Sequence, residues 1–291
     1  MVLLGIAVLV GAVLLARGDR PNVPAASVAP ARGQDQPRER FEASDEPVAA
    51  LARLSTTSAA FSSVDDLHAF ADGLRSRAGE GDGEATFYIA RTLDYCRDYA
   101  LDPAGYMAAT GLVPSKRREV ASAYKRSRER VAHRCRGYAA ANARIMANDI
   151  LETLRTSASQ GNIAAEATLF SHEDVEALDP VYVRELAARV LASRNPEAYL
   201  AISSGMGTRT SGLPLDPESV AGTEYATLAW QVAACRLGLD CSANAPIVTQ
   251  YCANGGVCGS FSSLNNLIFD GLVPRSDADI VRGMSTELVG R

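Results

Sequence analysis

From residue 48 onward, apolar residues recur every three or four positions, and few stretches alternate with the period of a strand. Ser63, followed by Asp65 and Asp66, reads as a capped helix start. The run DDLHAFADGLRSRAGE then ends at Gly79 or Gly81. In GEATFYIARTLDYCRDY the stripe Ala85, Ile89, Thr92, Cys96 and Tyr99 marks one face of a helix. Pro103 closes that helix, and Pro114 opens a basic one reaching about Arg134. Further helices are expected over 140–158, 163–171, 181–194 with Pro180 near its first turn, 196–204, 217–237, 245–253, 262–271 and 276–287. The stripe Val220, Thr223, Thr227, Trp230 and Ala234 defines the buried side of 217–237. The pattern predicts an all-α body over 48–291.

The residues before it behave differently. Met1 to Ala16 carry no charged side chain, and Arg17 and Arg20 follow at once. As a helix this segment spans about 24 Å, against about 30 Å of hydrocarbon in a bilayer. It reads as a single-pass membrane anchor; a cleaved signal segment and a buried N-terminal helix are the alternatives. Arginines after the segment favour a cytoplasmic C-terminal side, whereas the cysteine pattern favours an oxidising one. Residues 17–47 hold Pro21, Pro24, Pro30, Pro37 and Pro47 among charged and small residues, the composition of a disordered tether. Together these features place the body at the periplasmic side of a bacterial inner membrane, or free in the periplasm or medium.

An internal echo refines the fold. Residues 75–88 read RSRAGEGDGEATFY and residues 155–170 read RTSASQGNIAAEATLF, each preceded by leucine, Leu74 or Leu154. Both place Gly before Asp or Asn in a turn, Gly81-Asp82 and Gly161-Asn162, then open a helix with Glu-Ala-Thr and two bulky residues, the second copy carrying two more residues before that triplet. Ala226-Thr227-Leu228 is a fainter third copy. This pattern resembles the turns of Sel-type and tetratricopeptide-like repeats. The resemblance implies stacked antiparallel helical hairpins forming a short superhelix, whose concave face binds a protein segment.

Six cysteines follow the export-like segment, an even count that suggests disulfides. Cys235, Cys241, Cys252 and Cys258 have the spacing C-x5-C-x10-C-x5-C. Local pairs Cys235–Cys241 and Cys252–Cys258 each bracket a glycine turn, which leaves Cys96 for Cys135. A zinc site would favour closer C-x2–4-C spacing, and no histidine is near; free buried thiols are the other reading. The part 235–258 thus forms a cysteine-rich end to the body.

Composition narrows function more than it names it. Net charge is −5, with 47% hydrophobic and 22% charged residues, so a nucleic-acid partner is not expected. Residues 115–136 nonetheless hold nine Lys/Arg and two Glu. On this helix Val120, Tyr124, Val131 and Cys135 face inward. Lys116, Arg117, Arg118, Lys125, Arg126, Arg128, Arg130 and Arg134 are then candidates for an anionic partner, or simply a solvated face. No phosphate loop, dinucleotide fingerprint, nucleophile elbow or zinc-protease motif occurs, so neither a cofactor nor a catalytic set is assigned. His68, His133 and His172 have no second histidine at ligand spacing. Asp94 and Asp98 share a helix face as exposed acids do. His133 and Cys135, two apart on a helix, point different ways. The expected function is non-enzymatic binding of a protein partner by an exported or membrane-anchored body. The alternatives are an exported hydrolase with an unrecognised site, or an exported effector.

Overall fold

The computed structural model describes residues 55–111, 118–172, 178–216 and 219–291, all within one compact unit spanning 48–291. The membrane-segment reading of 1–16 and the tether reading of 17–47 lie outside the described residues. Among the described residues the chain is helical throughout, its one β contact an isolated bridge between Ser242 and Ser263. None of the described helices is long and apolar enough to cross a membrane.

The first helices are α1 (Thr56–Ser63), α2 (Leu67–Gly79), α3 (Gly83–Leu101) and α4 (Pro103–Gly111). Next come α5 (Arg118–Ala140), α6 (Ala147–Ser159), α7 (Ile163–His172), α8 (Pro180–Ser193) and α9 (Pro196–Ile202). The C-terminal part holds α10 (Glu224–Arg236), α11 (Pro246–Ala253), the short α12 (Leu264–Asn266) and α13 (Ala278–Gly290). A π-helical segment, Leu267–Leu272, continues α12.

Two helices were not anticipated. In α1, Thr-Thr-Ser-Ala-Ala-Phe-Ser-Ser presents only Phe61 as a large apolar side chain, so no stripe announces it. Pro103 does end α3, and it also opens α4, because a first-turn proline has no helical N–H bond to lose. The helix start expected at Ser63 is shifted: Asp66 is the cap of α2, accepting from the N–H groups of His68 and Ala69. The helix expected from 217 begins at Glu224, capped by Thr223.

The echoed turns have the same backbone. Gly81 and Gly161 adopt φ of +91° and +86°, a region that glycine enters without side-chain strain. Asp82 then accepts from the N–H of Ala85 at 3.0 Å, and Asn162 from that of Ala165 at 2.9 Å. The same junction occurs twice more. Arg194 (φ +51°) precedes the cap Asn195 and then Ala198; Gly222 (φ +80°) precedes the cap Thr223 and then Ala226. All four alanines are fully buried. A larger side chain there would hold the entering helix off its neighbour.

Packing follows chain order. α2 lies on α3, α3 on α6, α6 on α7, α7 on α9, α9 on α10 and α10 on α13. The two echoed hairpins lock together directly. Ser157 Oγ donates to the Gly83 carbonyl at 2.7 Å, and Thr86 Oγ1 donates to Gln160 Oε1 at 2.7 Å. At the other end, Arg194 donates to the Val289 carbonyl and Tyr199 to the Leu288 carbonyl, closing the C-terminus of α13. Phe61, Tyr88, Leu186, Tyr199 and Trp230 are among the large side chains of the core.

All six cysteines are paired as expected. Cys96–Cys135 joins α3 to α5 with Cα atoms 5.3 Å apart. Cys235–Cys241 and Cys252–Cys258 each close a short loop, with Cα separations of 5.8 and 4.6 Å. No thiolate is left to bind zinc.

Candidate binding groove

The helix order α3, α6, α7, α9 brings separate parts of the chain around a cavity of about 420 Å³. Helix α3 contributes Ala90, Arg91, Asp94 and Arg97, and α6 contributes Ala147, Ile150, Leu151 and Leu154. Thr168 and His172 come from α7. Leu200, Ala201, Ser203 and Ser204 come from α9 and the turn after it, with Gln231 and Ile247 behind. The volume falls within the range of small-ligand and side-chain pockets. The lining mixes aliphatic side chains with the charged Arg91, Asp94 and Arg97.

Arg91 is the unusual member. Its side chain is 19% exposed, and its guanidinium lies 3.8 Å from Glu197 Oε2, too far for a hydrogen bond. It sits above the rings of Phe61 and Phe87, at 5.5 and 5.9 Å from their centroids. Among the described residues no hydrogen bond engages its five N–H donors. Arginine so placed retains the capacity to take an acceptor from a ligand.

Glu197 is buried behind it. Its Oε1 accepts from Ser58 Oγ at 3.0 Å and from the Tyr88 hydroxyl at 3.1 Å, while Oε2 has no hydrogen bond. Burial, followed by the charge of Glu197, pushes the Tyr88 hydroxyl well above its usual pKa. Gln231, also buried, is held by the Tyr251 hydroxyl on its Oε1 at 2.7 Å. Of these groups Gln231 lines the cavity itself, whereas Glu197, Ser58 and Tyr88 lie behind Arg91 and line a separate one.

Sequence reasoning did not single out Arg91, Glu197 or Gln231. Arg91 lies beside the apolar stripe of α3, and only α9 and α6 folding against that helix give it a cavity. For Glu197 a signal existed: Asn195-Pro196-Glu197-Ala198 is a helix-opening junction like Asp82-Gly83-Glu84-Ala85, obscured because arginine replaces glycine at the left-handed position.

The basic helix needs correction. Lys116 and Arg117 lie outside the described residues. Arg118, Lys125 and Arg126 are exposed, with Lys125 3.7 Å from Glu129. Arg128 and Arg134 turn inward instead. Arg128 stacks on Tyr106, 3.4 Å from the ring centroid, and donates to the Tyr106 carbonyl at 2.8 Å and to Thr110 Oγ1 at 2.7 Å. Arg134 is buried and donates to the carbonyls of Val64, at 3.0 Å, and Phe61. Arg134 completes the C-terminal end of α1, where carbonyls lack helical partners, and Arg128 braces α4 at Tyr106 and Thr110. They are unavailable to an anionic partner. Arg130 is half-buried and donates to Asn244 Oδ1 at 2.6 Å.

The histidines are dispersed. His68 packs edge-on to Tyr138 and lies 3.3 Å from Asp72, and His133 is exposed beside Arg136. His172 shares the groove with Asp94, yet no hydrogen bond joins them. Ser203 Oγ donates to the Leu200 carbonyl and is not poised against a base. Cys135, being disulfide-bonded, has no nucleophilic thiolate for His133 to activate. Asp98 accepts from Arg97 at 3.2 Å. Among the described residues there is no cluster of metal-ligating side chains. No protein-family model, no curated protein and no solved structure matches the chain.

Proposed function

We propose that the chain is an exported helical-repeat protein that binds a segment of another protein in the groove between α3, α6, α7 and α9. In this reading the four glycine- or arginine-led junctions are units of a short superhelix, as the resemblance to Sel-type and tetratricopeptide-like repeats implies. Residues 1–16 serve as a single-pass anchor, 17–47 as a tether, and the body works in the oxidising periplasm. Three disulfides support such a compartment.

The observation carrying the reading is the groove's mixed aliphatic and basic lining. Ile150, Leu151 and Leu154 line the same cavity as Arg91 and Arg97. A segment with an aliphatic side chain flanked by an acidic one matches both kinds of lining. Selection of a displayed random-peptide library on the oxidised full chain tests it. Enrichment of an aliphatic–acidic motif, lost with Arg91→Gln and with Leu151→Glu, is the expected result. An absent motif, or one retained by both variants, sinks the reading. A topology reporter after residue 291 tests the placement; a cytoplasmic signal overturns it.

One observation favours a second reading, an exported hydrolase: His172 and Asp94 line the same cavity. Turnover of an ester or peptide substrate, abolished by His172→Ala, would select it over binding alone.

A further inference from the structure

A second groove lies away from the first, between α5 and the loop that follows Cys252–Cys258. Its cavity, about 240 Å³, is lined by Arg126, Ser127 and Arg130 of α5 and by Asn244, Ser260 and Phe261 across from them. It runs beside an open recess bounded by Arg118, Glu119 and the same Phe261. Arg126 and Arg130, four residues apart, are neighbours on one face of the helix.

Like charges at i and i+4 weaken a helix. Arg126 and Arg130 form such a pair, yet among the described residues no carboxylate answers either. Lys125 on the neighbouring stripe has Glu129, whereas the hydrogen bond from Arg130 goes to a neutral amide. An anion between the two guanidiniums would convert the repulsion into attraction. A carboxylate would balance one of the two charges. A phosphate monoester, near −2 at neutral pH, balances both and offers three acceptor oxygens. The hydroxyls of Ser127 and Ser260 supply further donors on the same cavity. Phe261 gives the organic part of the molecule an apolar wall.

We propose that this groove binds an organic phosphate, its dianionic head held between Arg126 and Arg130. The ligand is either a soluble phosphate ester or the head of an anionic phospholipid. The Cys252–Cys258 bond adds a dependence on oxidation. It closes the loop immediately before Gly259, and Cys252 itself lines the cavity, so one wall is positioned by the cystine.

The test is titration of the oxidised full chain with glycerol 3-phosphate, inorganic phosphate and acetate. Co-sedimentation with phosphatidylcholine vesicles, with and without phosphatidic acid, accompanies it. Arg17 and Arg20 beside the apolar N-terminal residues also favour anionic vesicles, so the Arg126→Gln and Arg130→Gln chains set the background for that arm. Binding of glycerol 3-phosphate assigns a soluble ester, and binding confined to phosphatidic acid vesicles assigns the lipid head. In either case Arg126→Gln or Arg130→Gln weakens binding about tenfold or more, the loss of one charge-assisted bidentate contact. Arg136→Gln, on the same helix but outside the groove, leaves it unchanged, and reduction of the disulfides weakens it. Four results would each overturn the proposal: no phosphate-bearing probe binds; acetate binds as tightly; Arg136→Gln weakens binding as much as Arg126→Gln; or reduction leaves binding intact. Neither Arg126 nor Arg130 lines the first groove, so failure here leaves the peptide-binding reading standing, and the converse also holds.

Discussion

Between residues 67 and 172 the two echoed helix junctions are closed by hydrogen bonds: an N-cap oxygen, a left-handed glycine and the carbonyls of the preceding turn. Between 235 and 272 the chain makes its bends with two cystines, one β bridge and a π-helical segment. The hairpin region carries one cystine, between helices far apart in sequence. The contrast separates two uses of the same bond. Cys96–Cys135 removes a large loop from the unfolded ensemble, whereas the tail cystines remove small ones and act mainly by shaping loops. Regular helices hold their own geometry; glycine- and serine-rich bends need a covalent constraint.

Alkaline pH should affect the hairpin region most. Burial raises the hydroxyl pKa of Tyr88, Tyr95, Tyr106 and Tyr138 there, and of Tyr251 in the tail. A raised folded-state value means that each neutral hydroxyl stabilises fully below the unfolded pKa, about 10. That contribution is lost as pH rises from there through the folded value. Tyrosinate absorbance and far-ultraviolet circular dichroism should therefore change together above pH 10. Tyr88→Phe should shift the transition more than Tyr251→Phe; equal shifts would break the comparison.

Removing Cys96–Cys135 by paired alanine substitution should cost about 4 kcal/mol, against about 2 kcal/mol for Cys252–Cys258. Urea unfolding of both double variants measures the difference, and equal costs would show that loop size is not the deciding variable. Glu197→Ala should cost about 3 kcal/mol, because it strips Tyr88 and Ser58 of their buried acceptor and Arg91 of its anion. The same unfolding assay, with Tyr251→Phe as the tail's counterpart, checks it. The smallest effects belong to the junctions. Asn162→Ala and Thr223→Ala should each cost about 1 kcal/mol. Asp82→Ala should cost as much at neutral pH and less in acid. The Ala85 N–H and the Arg77 guanidinium hold its carboxyl below the usual range. Its stabilisation is present above the unfolded value, near 3.8, and lost as pH falls through the folded one.

Much of the fold was legible in the sequence because helix ends are local. Glycine after a run, proline at its start and a polar cap mark most of the boundaries, and short cysteine spacing marks the tail pairs. What escaped reading was tertiary. Helices α1 and α4 lack a stripe, and they are the two elements that receive Arg134 and Arg128. With those partners unseen, both arginines read as surface. The groove escaped for a similar reason. Arg91, Leu151, His172 and Gln231 come from four helices, and no spacing along the chain announces their meeting.

The junctions themselves have a genetic consequence. Each needs only a left-handed residue, a cap and an alanine three positions after the cap, while the length of chain between successive junctions varies more than twofold. Insertions between junctions can thus add or remove whole elements, as α4 and α5 sit between the first two, without disturbing the local rule that starts the next helix. A gene built this way can change length in large steps and still encode the same stacking.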